Sequence, residues 1–141
     1  MSTDPNGHKP TTLIHARLID PETERDELGG VVIENGLIAD IGPHLAKNAP
    51  DGTDIVDCAG HILCPGLIDM LVFTGEPGEE HRETLATASR AAAAGGVTTI
   101  ISMPNTDPVI DEVALVDFLE RRARDTAITN VHVMAAMTKG L

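Results

Sequence analysis

Six histidines and two cysteines are the side chains of this 141-residue chain best suited to hold a transition metal. They are not spaced to work together. Two histidines at i and i+2 on a strand point to one side and can grip a zinc ion, but the sequence has no His-x-His. His8 lies in the polar N-terminal stretch, His15, His44 and His61 precede residue 65, and His81 and His132 follow it. His61-x-x-Cys64 is a two-ligand pattern with no partner pair. His132 lies in a β-branched stretch, where a lone histidine can serve a site or the sheet.

The elements that must position any site fall into two parts. Residues 1–10 are polar with Pro5, Gly7 and Pro10, and are expected to be a disordered tail. Residues 11–64 carry short apolar runs: a strand over 11–19, a turn at Asp20-Pro21-Glu22-Thr23, and a hairpin with strands over 30–34 and 37–42. Asn35-Gly36 suits a type I′ turn, whose central residues both need positive φ. Strands over 54–57 and 61–64 flank Ala59-Gly60. This part is all-β.

Residues 65–141 change period. A strand is predicted over 68–73, a helix over 79–94, a strand over 97–103, a helix over 111–125 and a strand from 131. The first helix has glutamates in its first turn, many alanines for close packing on a sheet, and Gly95-Gly96 as its stop. No helix N-terminus follows those glycines, so they cap a helix and do not cradle a phosphate. In the second helix Val113, Val116, Leu119 and Ala123 are spaced as one apolar stripe, with arginines at 121, 122 and 124. The order β-α-β-α-β belongs to a parallel α/β sheet.

Composition narrows the function. A net charge of −12 argues against nucleic acid and against anionic membrane surfaces. No apolar run approaches the ~20 residues of a membrane span. Phe73 and Phe118 are the only aromatics, so the core is aliphatic. Cys58 and Cys64 match no zinc or redox motif and form no disulfide framework, which points to a reducing cytoplasm.

One stretch resembles a known family. Pro65 to Gly78 is similar to the start of the barrel in cyclic amidohydrolases, specifically dihydroorotases, where the form is P-G-(L/I)-I-D-x-H-V-H-(L/F)-R-E-P-G. Pro65, Gly66, Ile68, Asp69, Val72, Glu76, Pro77 and Gly78 keep that frame. Gly95-Gly-Val-Thr-Thr and Met103-Pro-Asn-Thr106 resemble the branch labelled multifunctional complex type, and Ile33-Glu-Asn-Gly resembles the β-sandwich half that precedes the barrel. The resemblance implies an α/β chain: the start of a (β/α)8 TIM-type barrel after part of a small β-sandwich, divided as 11–64 and 65–141. At two to three βα units it is too short to close a barrel, which takes eight strands and ~250 residues.

The resemblance also locates what is changed. The zinc-binding histidines would stand at Leu71 and Phe73, and the arginine that pairs with the substrate carboxylate at Gly75. An apolar pair on one face of the strand is expected to fill the mouth of the site. No metal is implied by these positions; zinc enters only if ligands outside this stretch serve. Asn105 matches an asparagine that contacts substrate. It has two readings, an amide hydrogen-bonding a ligand carboxylate or a residue that shapes the turn between two prolines. Asp69 in a strand needs partners and is read as structural, and Glu76-Pro77-Gly78 as setting the loop. The implied function is a dihydroorotase-like protein of pyrimidine (UMP) biosynthesis, catalytically silent and a partner of aspartate carbamoyltransferase, oligomeric in its full-length form. The alternative is an active zinc-dependent dihydroorotase.

Overall fold

The computed structural model describes residues 9–141, so most of the expected N-terminal tail, with His8, lies outside the described residues. The chain divides between Pro65 and Gly66 into two units.

The first unit is one sheet. Its strands are β1 (Thr11–Asp20), β2 (Arg25–Glu34), β3 (Leu37–Gly42), β4 (Asp54–Asp57) and β5 (Ile62–Leu63). The order is β3-β2-β1-β4, with β5 also on β1. β1 and β2 are antiparallel, as are β2 and β3, while β4 and β5 run parallel to β1. Asn35 and Gly36 have φ of 53° and 75°, the type I′ geometry that the dipeptide predicts. Ala16, Leu18 and Val31 form the buried core, with Ile33, Cys58 and Leu63 packed on it.

β2 starts at Arg25, five residues before the expected Gly30. Arg25-Asp-Glu-Leu has no apolar alternation to announce a strand. Cross-strand charge pairing helps hold it instead: Arg17 donates to both carboxylate oxygens of Asp26, at 2.7 and 2.6 Å. The β1–β2 register slips between Leu13 and Ala16, where His15 adopts a φ of 53°. The His15 ring lies 3.0 Å from Asp57. The Ala59 N–H and then His15 hold the Asp57 carboxyl below the usual range.

The second unit is β6 (Leu67–Val72), α1 (Leu85–Ala94), β7 (Val97–Ser102), α2 (Val113–Thr126) and β8 (Asn130–Val133). The strands are parallel in the order β6-β7-β8. Leu85, Ile110, Leu119 and Ala123 are its buried core, and Leu115, Val116, Val131 and Val133 pack against them.

Two helix expectations need correction. α1 starts at Leu85, not at 79, because Thr84 supplies the cap. Its hydroxyl accepts from Thr87 N at 3.2 Å, and its own N–H donates to Thr87 Oγ1 at 3.1 Å. The preceding glutamates form a separate turn, so no acid stands in the first turn of α1. Its packing is through Leu85, Ala88 and Ser89, while Ala91, Ala93 and Ala94 are exposed. In α2 the stripe omits Val113, which is 77% exposed in the first turn. Val116, Leu119 and Ala123 keep their expected places in it, and Leu115, four residues before Leu119, joins them.

Acid should loosen the first unit. The hydrogen bond from Arg17, with its charge, holds the Asp26 carboxyl below the usual range. A folded pKa below the unfolded value of about 3.9 gives stability that is present above that value. It is lost as pH falls through the folded value. Asp26→Asn should therefore flatten the decline in stability below about pH 5. Urea unfolding followed by far-ultraviolet circular dichroism at stepped pH measures this.

Candidate functional site

A parallel sheet presents its loops at the C-terminal ends of its strands, where α/β proteins place their ligands. In the second unit these are the segments after Val72, Ser102 and Val133. The first two are joined. Met103 N donates to Val72 O at 3.0 Å, and Asp107 N donates to Pro77 O at 3.1 Å. Met134 N donates to Ser102 O at 3.0 Å and brings in the third.

Leu71 and Phe73 flank Val72, the last residue of β6. The β6–β7 register slips between Asp69 and Val72: Asp69 pairs with Ile100 and Val72 with Ser102, so one extra residue is fitted into β6. Such a bulge interrupts alternation and leaves a backbone group without its ladder partner. Asp69 meets that need, for its Oδ1 accepts from Leu71 N at 3.1 Å. The expected structural role of this acid thereby gains a definite form. Leu71 is 66% exposed at the bulge. Phe73 lies beyond the strand end and is partly covered by the Arg82 guanidinium, 4.9 Å from its ring centroid.

Gly75 is buried with φ of 66°. A Cβ there would stand 2.1 Å from Glu83 O, a backbone atom. Its carbonyl also accepts from Glu79 N at 2.7 Å. No side chain fits this backbone, so the absence of an arginine at position 75 is built into the loop. Gly78, with φ of 96°, is equally constrained, since its Cβ would meet Asp107 O at 1.9 Å.

Glu76 holds the loop in place. It is 3% exposed, and its carboxylate accepts from Leu85 N at 3.0 Å and from Arg122 Nε at 2.9 Å. Leu85 is the first residue of α1 and Arg122 lies in α2. A carboxylate at a helix N-terminus takes up an N–H that the helix cannot satisfy. The Glu76 hydrogen bond raises the pKa of Arg122 above its ordinary value. On the outer side of the loop, Gly78 N donates to Glu80 at 3.0 Å and holds that carboxyl below the usual range. Glu79 pairs with Arg82. Sequence reasoning found Glu76 as a loop former but not its partners.

Asn105 is exposed, and the turn around it is held by its neighbour. Thr106 Oγ1 donates to Pro108 O at 2.8 Å, and Thr106 N to Pro104 O at 2.9 Å. The turn therefore does not depend on the Asn105 amide. His81 and His132 are exposed, and the His61 ring bonds Cys58 O at 2.6 Å. Among the described residues no three His, Cys, Asp or Glu groups converge on a metal position. Leu71 and Phe73 have no lone pair to offer, so this donor set does not fit a zinc ion.

The family profile described as Dihydro-orotase-like matches residues 60–140. The chain belongs to that family. Among its curated relatives, a dihydroorotase of Wolbachia sp. subsp. Brugia malayi is 46% identical over 127 residues, covering 89% of this chain and 29% of that protein. A dihydroorotase of Citrifermentans bemidjiense is 44% identical over 124 residues, 88% of this chain and 29% of that one. The chain thus spans about three-tenths of the length of these relatives. Of solved structures, the L-hydantoinase (dihydropyrimidinase) of Arthrobacter aurescens superposes with a TM-score of 0.78 at 21% identity, over 89% of this chain and 27% of that one. At that identity the likeness is one of fold. The mixed α/β chain is consistent with part of a TIM-barrel amidohydrolase, and its three-stranded parallel sheet is not itself a closed barrel. Among the described residues no helix is long and apolar enough to cross a membrane.

Two outcomes follow for this dihydroorotase-like chain. Gly75→Arg, which restores the family residue, should lower stability by roughly 2 kcal/mol or more, since position 75 has positive φ and a backbone oxygen against its Cβ. Gly75→Ala should fail in the same direction in calorimetry. Glu76→Ala should cost about 2 kcal/mol through the lost acceptor of a charge-assisted bond. Glu76→Gln should cost less, because its amide oxygen still accepts from Leu85 N.

Proposed function

We propose that this chain serves in a catalytically silent dihydroorotase-like protein of pyrimidine (UMP) biosynthesis, acting in the cytoplasm as a structural partner of aspartate carbamoyltransferase. The observation that carries silence is the end of β6. Hydrolysis of a cyclic amide at neutral pH calls for a polarised carbonyl and an activated water, which zinc supplies when it is bound. Here the two positions that would ligate it are Leu71 and Phe73, and the carboxylate anchor is Gly75 on a backbone that excludes a side chain. The partner rests on the family resemblance.

The kept frame favours a second reading. Family membership, the exposed Asn105 and the pinned loops suit an active zinc-dependent dihydroorotase that interconverts dihydroorotate and carbamoyl-aspartate with ligands outside this stretch. That reading needs another anchor for the substrate carboxylate.

Zinc content and dihydroorotate turnover, measured on the full-length protein carrying this sequence after dialysis against trace zinc, separate the two. The silent reading expects no stoichiometric metal, no turnover and co-purification with aspartate carbamoyltransferase. One zinc per chain with turnover assigns the enzyme reading instead.

A further inference from the structure

Two buried hydroxyls stand at the ends of adjacent strands. Thr74 and Ser102 are each 1% exposed, and neither Thr74 Oγ1 nor Ser102 Oγ has a hydrogen-bond partner among the described residues. Native cores seldom leave such groups unpaired, and where protein atoms do not serve them, an ordered water does. Val72 is the register partner of Ser102, and Met103 N, next to Ser102, donates to Val72 O at 3.0 Å. Thr74 is two residues beyond Val72, at most about 7 Å along the chain.

The sequence also reduces side-chain volume here. Thr74 stands at the L/F position of the family pattern. A leucine or phenylalanine side chain exceeds threonine by more than a water's share of the liquid, about 30 Å³. Within Leu71 to Gly75, then, a fourth departure from the pattern replaces apolar volume by a small polar group. Ser102 supplies a second hydroxyl across the ladder from its neighbour Val72.

We propose that Thr74 and Ser102 hold a buried water molecule that links the C-terminal ends of β6 and β7. This water ties the start of the 73–84 loop to β7 on the side of Thr74, as Asp107 N ties the loop at Pro77. The residues between, Gly75 and Glu76, are thereby fixed from both directions.

The sign of an isosteric substitution decides the matter. Thr74→Val keeps the shape and removes the hydroxyl. If the two hydroxyls bind no water, the substitution deletes an unpaired polar group and raises the melting temperature of the intact protein. If they share a water, it strips that water of a partner and lowers the melting temperature by a few degrees. Ser102→Ala should behave alike, and the double variant should lose less than the two single losses added. Differential scanning calorimetry suits a chain without tryptophan or tyrosine. A high-resolution crystal structure of the unmutated protein provides a readout independent of folding of the variants. Ordered density within hydrogen-bond distance of both hydroxyls supports the proposal. A rise in melting temperature for Thr74→Val, or hydroxyls bonded directly to protein atoms with no density between them, overturns it.

Discussion

The parallel half of this protein hangs on one buried carboxylate. Glu76 meets the first N–H of α1 and the guanidinium of Arg122 in α2, while its backbone belongs to the loop that leaves β6. Three elements therefore share a single anchor. A carboxylate 3% exposed is costly unless its charge is met by donors. The two contacts differ in kind. The Arg122 side chain is 48% exposed, so solvent screens its charge. The Leu85 N–H would be left without an acceptor if the carboxylate moved, and it gives the anchor its direction. Pro77 and Gly78 follow immediately and lock the loop to Asp107 through backbone atoms alone.

From that anchor the condition of the site follows. The loop cannot relax to admit a side chain at position 75, because Glu83 O and Glu79 N are held against the Gly75 backbone by the turn that leads into α1. The strand end is fixed in another way. The bulge in β6 leaves Leu71 N outside the ladder, and Asp69 bonds it. That carboxylate is then occupied in holding the bulge. The polar side chains retained from the family frame on this strand and its loop, Asp69 and Glu76, are thus engaged by backbone, and the positions without polar groups are those where a metal or a substrate carboxylate would be met.

The sequence made some of this visible and hid the rest for definable reasons. Asn35-Gly36 and the alternation of strand and helix periods are local signals, and the hairpin and the β-α-β-α-β order stand where they point. Arg25 to Leu28 has the composition of a loop; it becomes strand through register with Arg17 to Asp20, which periodicity cannot see. The start of α1 was obscured by good helix formers at 79–83, and the Thr84 cap overrides their propensity. Glu76 and Arg122 are 46 residues apart, beyond any local pattern. The slip of register between Asp69 and Val72 has no local signal, since it is set by pairing with β7.

A site built to carry zinc uses its ligands twice, for chemistry and for holding strand ends together, since metal binding is also folding free energy. Leu71 and Phe73 can do neither by coordination. Among the described residues the strand ends are joined by the Val72–Met103 and Ser102–Met134 bonds, the Pro77–Asp107 bond and the Glu76 carboxylate. Leu71 is exposed, and the Phe73 ring carries the Arg82 guanidinium. These bonds give the proposed silent reading its physical basis, since they hold strand ends together at positions that offer no metal ligand.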